Sequence, residues 1–257
     1  MSDNKNEKII IANWKMKLGF GDSVKLAKDF SDKFADFKEE SKTVVACPSL
    51  VSLSEVKKVL GDNVKMGAQN VFWEVQGSYT GEISPNSLEE IGCKYVIVGH
   101  SERRKHLLEN YAMIHQKVKT LLSSSKLIPI VCIGEEADDR KTDRRDYVLM
   151  NQIQQALGGV NIGGDQKIVV AYEPVWAIGS GTALDPEEAK YAHKIIRLAL
   201  NDMFGMKVVE ANFKVVYGGS VTSENVKNFS DLEDIDGLLV GGASLDADEF
   251  LKICKNI

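Results

Sequence analysis

Eight short apolar runs recur along this 257-residue chain, and segments of helical spacing separate them. The runs are residues 8–12 (KIIIA), 43–47 (TVVAC), 64–68 (VKMGA), 95–98 (YVIV), 128–133 (IPIVCI), 167–172 (KIVVAY), 213–217 (FKVVY) and 237–240 (GLLV). Several are nearly continuous in β-branched and apolar residues, as parallel strands covered on both faces require. Between them, Val24, Leu26, Ala27, Phe30, Phe34 and Phe37 form one helical stripe, and Ala189, Ala192, Ile195, Ile196 and Ala199 form another. Helix entries are signalled at Asp185-Pro186-Glu187-Glu188, at Ser49, at Ser84 before Pro85, and at Thr222-Ser223-Glu224. Such alternation means an α/β chain with a parallel sheet. Eight units in succession favour a closed (β/α)₈ barrel over an open doubly wound sheet. No Gly/Ser/Pro linker or composition shift divides the chain, so one domain over residues 1–257 is expected.

Composition narrows the partners. The apolar share of 44% supplies a sizeable core, and the net charge of −5 argues against a nucleic-acid binder, which would carry a basic stripe. A local pocket can still be positive, so an anionic small substrate remains compatible. No apolar run is long enough to cross a bilayer, and the first eight residues lack the apolar core of a secretory signal, so a cytoplasmic protein is expected. Cys47, Cys93, Cys132 and Cys254 are scattered without a C-x-x-C pair, and with only 4 histidines neither a zinc site nor a disulfide framework is expected. Isolated buried thiols in a reducing compartment are the plain reading.

In a barrel of this kind chemistry gathers at the C-terminal ends of the strands. The first run leads into Asn13-Trp14-Lys15, the fourth into His100-Ser101-Glu102-Arg103-Arg104, and the sixth into Glu173-Pro174-Val175-Trp176. The seventh and eighth end in Gly218-Gly219-Ser220 and Gly241-Gly242-Ala243-Ser244. Each feature has an ordinary reading: a solvated lysine, a hydrogen-bonded structural histidine, a carboxylate at a strand end, tight turns. Their convergence on one face is the informative point. Glycines after the last two strands also suit a phosphate grip, where backbone N–H groups face the anion. Residues 174–184 (PVWAIGSGTAL) carry Pro174 at one end, Trp176 and Ile178 within, and Gly179 and Gly181 beyond, which suits a lid that moves as a unit.

The segments 12–16 (ANWKM), 98–104 (VGHSERR), 171–181 (AYEPVWAIGSG), 217–221 (YGGSV) and 239–245 (LVGGASL) resemble the triosephosphate isomerase family, in order and at its spacings. The resemblance implies a TIM barrel that interconverts dihydroxyacetone phosphate and D-glyceraldehyde 3-phosphate through an enediolate, with no metal or organic cofactor. It implies Glu173 as the general base and a neutral His100 as the electrophile, a pairing already established for that family. It further implies Lys15 and Asn13 as stabilisers of the substrate oxygens, with Glu102 positioned behind Lys15. Gly179, Ser220, Gly241 and Gly242 would bind the phosphate through backbone N–H groups, and Tyr217 would latch the lid. Closure of Ile178 over Glu173, opposite Leu239, is expected to desolvate the carboxylate and raise its basicity.

Three places depart from the family's commonest pattern: Lys17, the Asn110-Tyr111 pair after Glu109 where Ser-Asp is usual, and the lid exit Thr182-Ala183-Leu184. None is expected to touch a catalytic group. The long segment 70–84 (NVFWEVQGSYTGEIS) carries Phe72, Trp73, Val75 and Tyr79, and in a monomer much of that apolar surface would face water, unless the loop folds back over its own barrel. The resemblance implies a homodimer in which Tyr79 and Thr80 enter a pocket beside the partner's active site. Thr80 would bond the partner's Asn13 and Glu102, and Glu82 would face its Arg103. The rival readings are another phosphate-binding barrel isomerase or lyase, which would need neither the lid nor GHSERR, and a non-catalytic relative, against which Lys15, His100 and Glu173 are all retained.

Overall fold

The computed structural model describes residues 7–178 and 184–257. Its strands are β1 Lys8–Asn13, β2 Lys42–Cys47, β3 Val64–Ala68, β4 Tyr95–Val98, β5 Ile128–Ile133, β6 Ile168–Tyr172, β7 Phe213–Tyr217 and β8 Gly237–Val240. Each pairs in parallel with its neighbours in sequence, and β8 closes on β1 from Ile9↔Gly237 to Ala12↔Val240. The eight apolar runs are therefore the eight strands, shifted by one residue at a few ends. Asn13 lies within β1, not after it, because it keeps register with Cys47.

Helices clothe the barrel: α1 Phe20–Lys33, α2 Leu53–Val59, α3 Pro85–Ile91, α4 Ser101–His106, α5 Tyr111–Ser124, α6 Ala137–Lys141, α7 Arg145–Leu157, α8 Pro186–Phe204, α9 Met206–Asn212, α10 Lys227–Ser230 and α11 Ala247–Asn256. The α1 stripe is buried at Leu26, Ala27 and Phe30. Phe30 stacks on Phe250 of α11 at 5.2 Å and meets Trp14 edge-on at 5.5 Å. Ala189, Ala192, Ile196 and Ala199 bury the corresponding face of α8.

The capping signals hold where the side chain has a free amide to reach. Ser84 accepts from Asn86 N–H before Pro85, and Asp185 accepts from Glu187 N–H before Pro186. Ser49 instead turns its hydroxyl to Ser52 and heads only a 3₁₀ turn. At 222–224 the expected helix does not start. Asn225 Oδ1 accepts from Thr222 N–H, folding that stretch as a turn, and α10 begins at Lys227.

Strand alternation sorts the core into two layers. Ile9, Ile11, Val45, Cys47, Ile97, Ile130, Cys132, Val169, Ala171, Val216 and Leu239 fill the barrel interior. Their sequence neighbours, such as Ile10, Ala12, Val44, Val98, Val170, Tyr172 and Tyr217, pack outward under the helices. All four cysteines are buried free thiols. Continuing the inward phase two residues beyond Ile11, Cys132, Ala171, Val216 and Leu239 gives Asn13, Gly134, Glu173, Gly218 and Gly241. That phase aims polar groups at the barrel's C-terminal mouth.

Candidate active site

A cavity of about 480 Å³ opens at that mouth, lined by Asn13, Lys15, His100, Glu102, Glu173, Ile178, Ser220, Leu239, Gly241 and Gly242. Glu173 forms its floor and is almost fully buried. Its Oε2 accepts the Ser101 N–H at 2.9 Å. Its Oε1 lies 2.8 Å from His100 Nε2, yet out of line with the ring N–H, so this oxygen has no aligned donor. Burial pushes the Glu173 carboxyl up, but His100, Arg104 and the Ser101 N–H together outweigh it and hold the group below the ordinary carboxylate value.

His100 caps α4, and its Nδ1 accepts the Glu102 N–H at 3.2 Å. With Nδ1 accepting, Nε2 is the ring nitrogen turned toward Glu173. α4 begins at Ser101, directly after this cap.

Lys15 adopts φ 53°, the left-handed region that side chains with a Cβ seldom occupy. Asn13 Oδ1 accepts the Lys15 N–H at 3.0 Å, and Gln69 Nε2 donates to the Lys15 carbonyl at 2.8 Å and to that of Cys47 at 2.9 Å. These contacts hold the turn and project Nζ to Glu102 Oε1 at 2.7 Å. The lysine stem runs beside Gly241, where an added Cβ would lie 3.3 Å from Lys15 Cε. Gln69 was not anticipated from sequence, although it continues the inward phase of β3 from Gly67.

The glycine-rich turns form the opposite rim. Among the described residues, the N–H groups of Ser220 and Gly242 find no acceptor and border the cavity. Gly179, Gly181, Thr182 and Ala183 lie outside the described residues.

The entry to the 174–184 segment is anchored. Val175–Ala177 forms a 3₁₀ turn, and Trp176 donates from Nε1 to Glu135 Oε1 at 2.9 Å. Tyr172 OH donates to the same oxygen at 3.1 Å, and the Arg140 guanidinium stacks over the Trp176 ring at 4.2 Å. Burial pushes the Glu135 carboxyl up. Ser220 Oγ reaches the Ala177 carbonyl at 3.4 Å, and the Leu184 N–H donates to Tyr217 OH at 3.3 Å. Ile178 and Leu239 both face the cavity that Glu173 floors. Glu135 was also missed, its only signal being its position just past β5 on the same rim.

A second cavity, about 540 Å³, lies behind the Lys15–Glu102 pair, with Met16, Leu50, Asn70, Arg103 and Leu107 on its walls. Tyr79, Thr80 and Glu82 are not brought to the chain's own site; they lie on an exposed tip. Phe72 is buried against its own barrel and carries the Tyr79 ring at 4.7 Å, so the segment is partly folded back and less apolar surface faces water than expected. Arg103 Nε pairs within the chain with Glu109, which also holds Lys117 Nζ at 2.9 Å.

A (β/α)₈ barrel with a buried carboxylate, an imidazole, a lysine and glycine-rich turns around one cavity defines an enzyme with acid–base groups facing a small anionic substrate. The family model described as Triosephosphate isomerase matches residues 8–257. The chain is 45% identical over 246 residues to the Triosephosphate isomerase of Caldanaerobacter subterraneus subsp. tengcongensis, covering 95% of this chain and 97% of that one. It is 41% identical over 250 residues to that of Dictyoglomus thermophilum, covering 97% and 99%. The corresponding protein of Fusobacterium nucleatum is 44% identical over 247 residues, covering 96% and 97%. The chain belongs to the triosephosphate isomerase family and is an isomerase.

Proposed function

We propose that Glu173, His100, Lys15 and Asn13 carry out the proton shuttle that interconverts dihydroxyacetone phosphate and D-glyceraldehyde 3-phosphate, and that the chain acts in the cytoplasm as a homodimer of single-domain barrels. The observation that carries the reading is the unpaired Oε1 of Glu173, buried at the cavity floor within 2.8 Å of His100 Nε2. Glu173 removes a proton from the carbon beside the substrate carbonyl, and the C–H electron pair becomes the enediolate double bond as the carbonyl π pair moves onto oxygen. His100 Nε2–H and Lys15 Nζ donate to that oxygen as charge develops, where fixed donors lower the barrier most. Asn13 keeps the Lys15 turn in place and faces the same oxygens. Glu173 returns the proton to the neighbouring carbon, and His100 moves a proton between the two oxygens. Glu102 orients the Lys15 ammonium.

The phosphate binds where the free N–H groups of Ser220 and Gly242 meet the Gly241 turn, with Gly179 completing the grip by family resemblance. Pro174, Trp176, Ile178 and Tyr217 belong to the closing segment, which would shield the enediolate from water. The scheme calls for no cofactor.

The dimer is supported by the second cavity and by the exposed apolar residues Met16, Leu50, Val51, Leu107 and Leu108. The tip with Tyr79, Thr80 and Glu82 has the chemistry to fill that cavity in a second copy. Among the described residues no helix is long and apolar enough to cross a membrane. A coupled assay of dihydroxyacetone phosphate to glyceraldehyde 3-phosphate tests the reaction: turnover that depends on Glu173 and His100 supports it, and a folded chain without turnover refutes it.

A further inference from the structure

Arg104 stands one helical turn beyond Ser101 on α4, on the same face, and Ser101 N–H is the amide that donates to Glu173 Oε2. Its guanidinium donates from Nη1 to the Tyr111 hydroxyl and lies 3.5 Å from Gln152 Oε1. Its Nη2 lies 3.5 Å from the Gly134 carbonyl. Gly134 in turn presses so closely on the base that an added Cβ would overlap the Glu173 carbonyl oxygen. The guanidinium thus sits one residue behind Glu173, and each of these acceptors is neutral: a phenol, an amide and a peptide carbonyl. Arg103, its sequence neighbour, has a carboxylate partner in Glu109. Among the described residues Arg104 has none within ion-pair distance.

The other groups facing Glu173 carry little net charge. His100, from the loop after β4, accepts at Nδ1 and is the neutral donor of the proposed shuttle. Lys15, across the cavity from the loop after β1, is neutralised by Glu102 at 2.7 Å. Burial pushes up both the Tyr111 phenol of α5 and the Cys132 thiol of β5, so neither supplies a negative charge. Glu135, past β5, is engaged by Tyr172 and Trp176. In partly desolvated surroundings an uncompensated charge acts over a longer range than it does in water.

We propose that Arg104 and Tyr111 form a positioning pair behind the base: Tyr111 holds the guanidinium against Gly134 without neutralising it, and the unshielded charge keeps Glu173 in its basic form. Tyr111 stands where the family usually has Asp, so this departure reaches the catalytic carboxylate after all. The inference rests on Glu173 being the base. That reading fails separately, if Glu173→Gln keeps near-normal turnover.

The test is the titration limb of the Glu173 carboxyl itself, followed by carbon-13 NMR of the substrate-free protein and compared among variants. Tyr111→Asp and Gln152→Glu each put a carboxylate beside Arg104 from a different helix, and Arg104→Gln removes the charge. All three should move the limb to higher pH by about 0.5–1 unit. Tyr111→Phe and Arg104→Lys, which preserve the charge balance, should leave the limb at the wild-type pH whatever their height of activity. Circular dichroism identifies the folded variants, and any one of the charge-altering three suffices to decide. A folded charge-altering variant whose limb coincides with wild type overturns the proposal. So does Tyr111→Phe moving the limb as far as Tyr111→Asp, since geometry and not charge would then be responsible.

Discussion

Asn13 and Glu173 reach the cavity because each stands two residues beyond an inward-facing side chain, Ile11 and Ala171. That phase is legible in the sequence, as the alternation fixes which face a residue joins. The parts played by Gln69 and Glu135 were not legible. Each bonds a group remote in sequence: Gln69 the Lys15 and Cys47 carbonyls, Glu135 the Trp176 ring N–H. Nothing local distinguishes them from solvated polar residues. If Glu173 is the base, Glu173→Gln should lower kcat by about 10²–10⁴-fold with the fold intact, as steady-state kinetics and circular dichroism would record. His193 makes a second residue-scale prediction. It is fully buried, its Nδ1 lies 3.2 Å from the Asp234 carbonyl, and burial, with Arg197 nearby, lowers its pKa from 6.5 to about 3. Between those values the unfolded chain binds a proton that the folded chain does not, so stability falls as pH drops below about 6.5 and continues to fall toward about 3. The expected slope is about 1.4 kcal/mol per pH unit within that window. His193→Gln should be less stable at neutral pH but should lose this share of the slope in urea titrations between mildly acidic and neutral pH. Parallel slopes for the variant and wild type would assign the dependence to other groups.

Close approaches between strands divide the barrel into a functional and a structural end. Gly134 follows β5 at the C-terminal mouth, and a Cβ there would collide with the Glu173 backbone. Gly237 opens β8 at the opposite end with φ 155°, and a Cβ there would collide with the Ile9 carbonyl of β1. Gly134→Ala should therefore displace the base and lower kcat by at least about tenfold, since small misplacements of a reacting group are costly. Gly237→Ala should lower the melting temperature and leave kcat/KM of the folded fraction near wild type, because that end carries stability. Equal losses of kcat in both variants would contradict this division. At this scale the sequence was most readable. Apolar runs within covered strands are unambiguous, and Ser84 and Asp185 mark helix entries with a Pro directly after each. The entry at Thr222 misled because the same residue types also build turns, and the Asn225 side chain decides between the two outcomes.

For the whole molecule the decisive question is what covers the cavity behind Lys15 and Glu102. The Glu102 side chain is 47% exposed there, and Met16 and Leu107 on the cavity walls are more than half exposed. The tip at Tyr79–Glu82 projects from the same chain, and its base is fixed by Phe72 buried beneath the Tyr79 ring. An exposed tip and a largely apolar cavity on one chain form the arrangement that a two-fold pairing satisfies, because each copy offers one and receives the other. Sequence alone suggested the tip, through its aromatic content, but not the receiving cavity, whose walls come from segments as distant as Met16, Asn70 and Leu107. Placing a charge on Tyr79 tests the pairing efficiently, since each dimer would bury it twice without a partner. Tyr79→Asp should give a folded monomer by light scattering after size exclusion, whereas Met206→Asp, at an exposed position on α9, should stay dimeric. Activity should fall at least about tenfold in the monomer, because the strained Lys15 turn and its Glu102 partner lose the surface that supports them. Wild-type protein that is monomeric and fully active at micromolar concentration would remove the dimer from the mechanism. A Tyr79→Asp protein that remains dimeric would move the interface elsewhere on the surface.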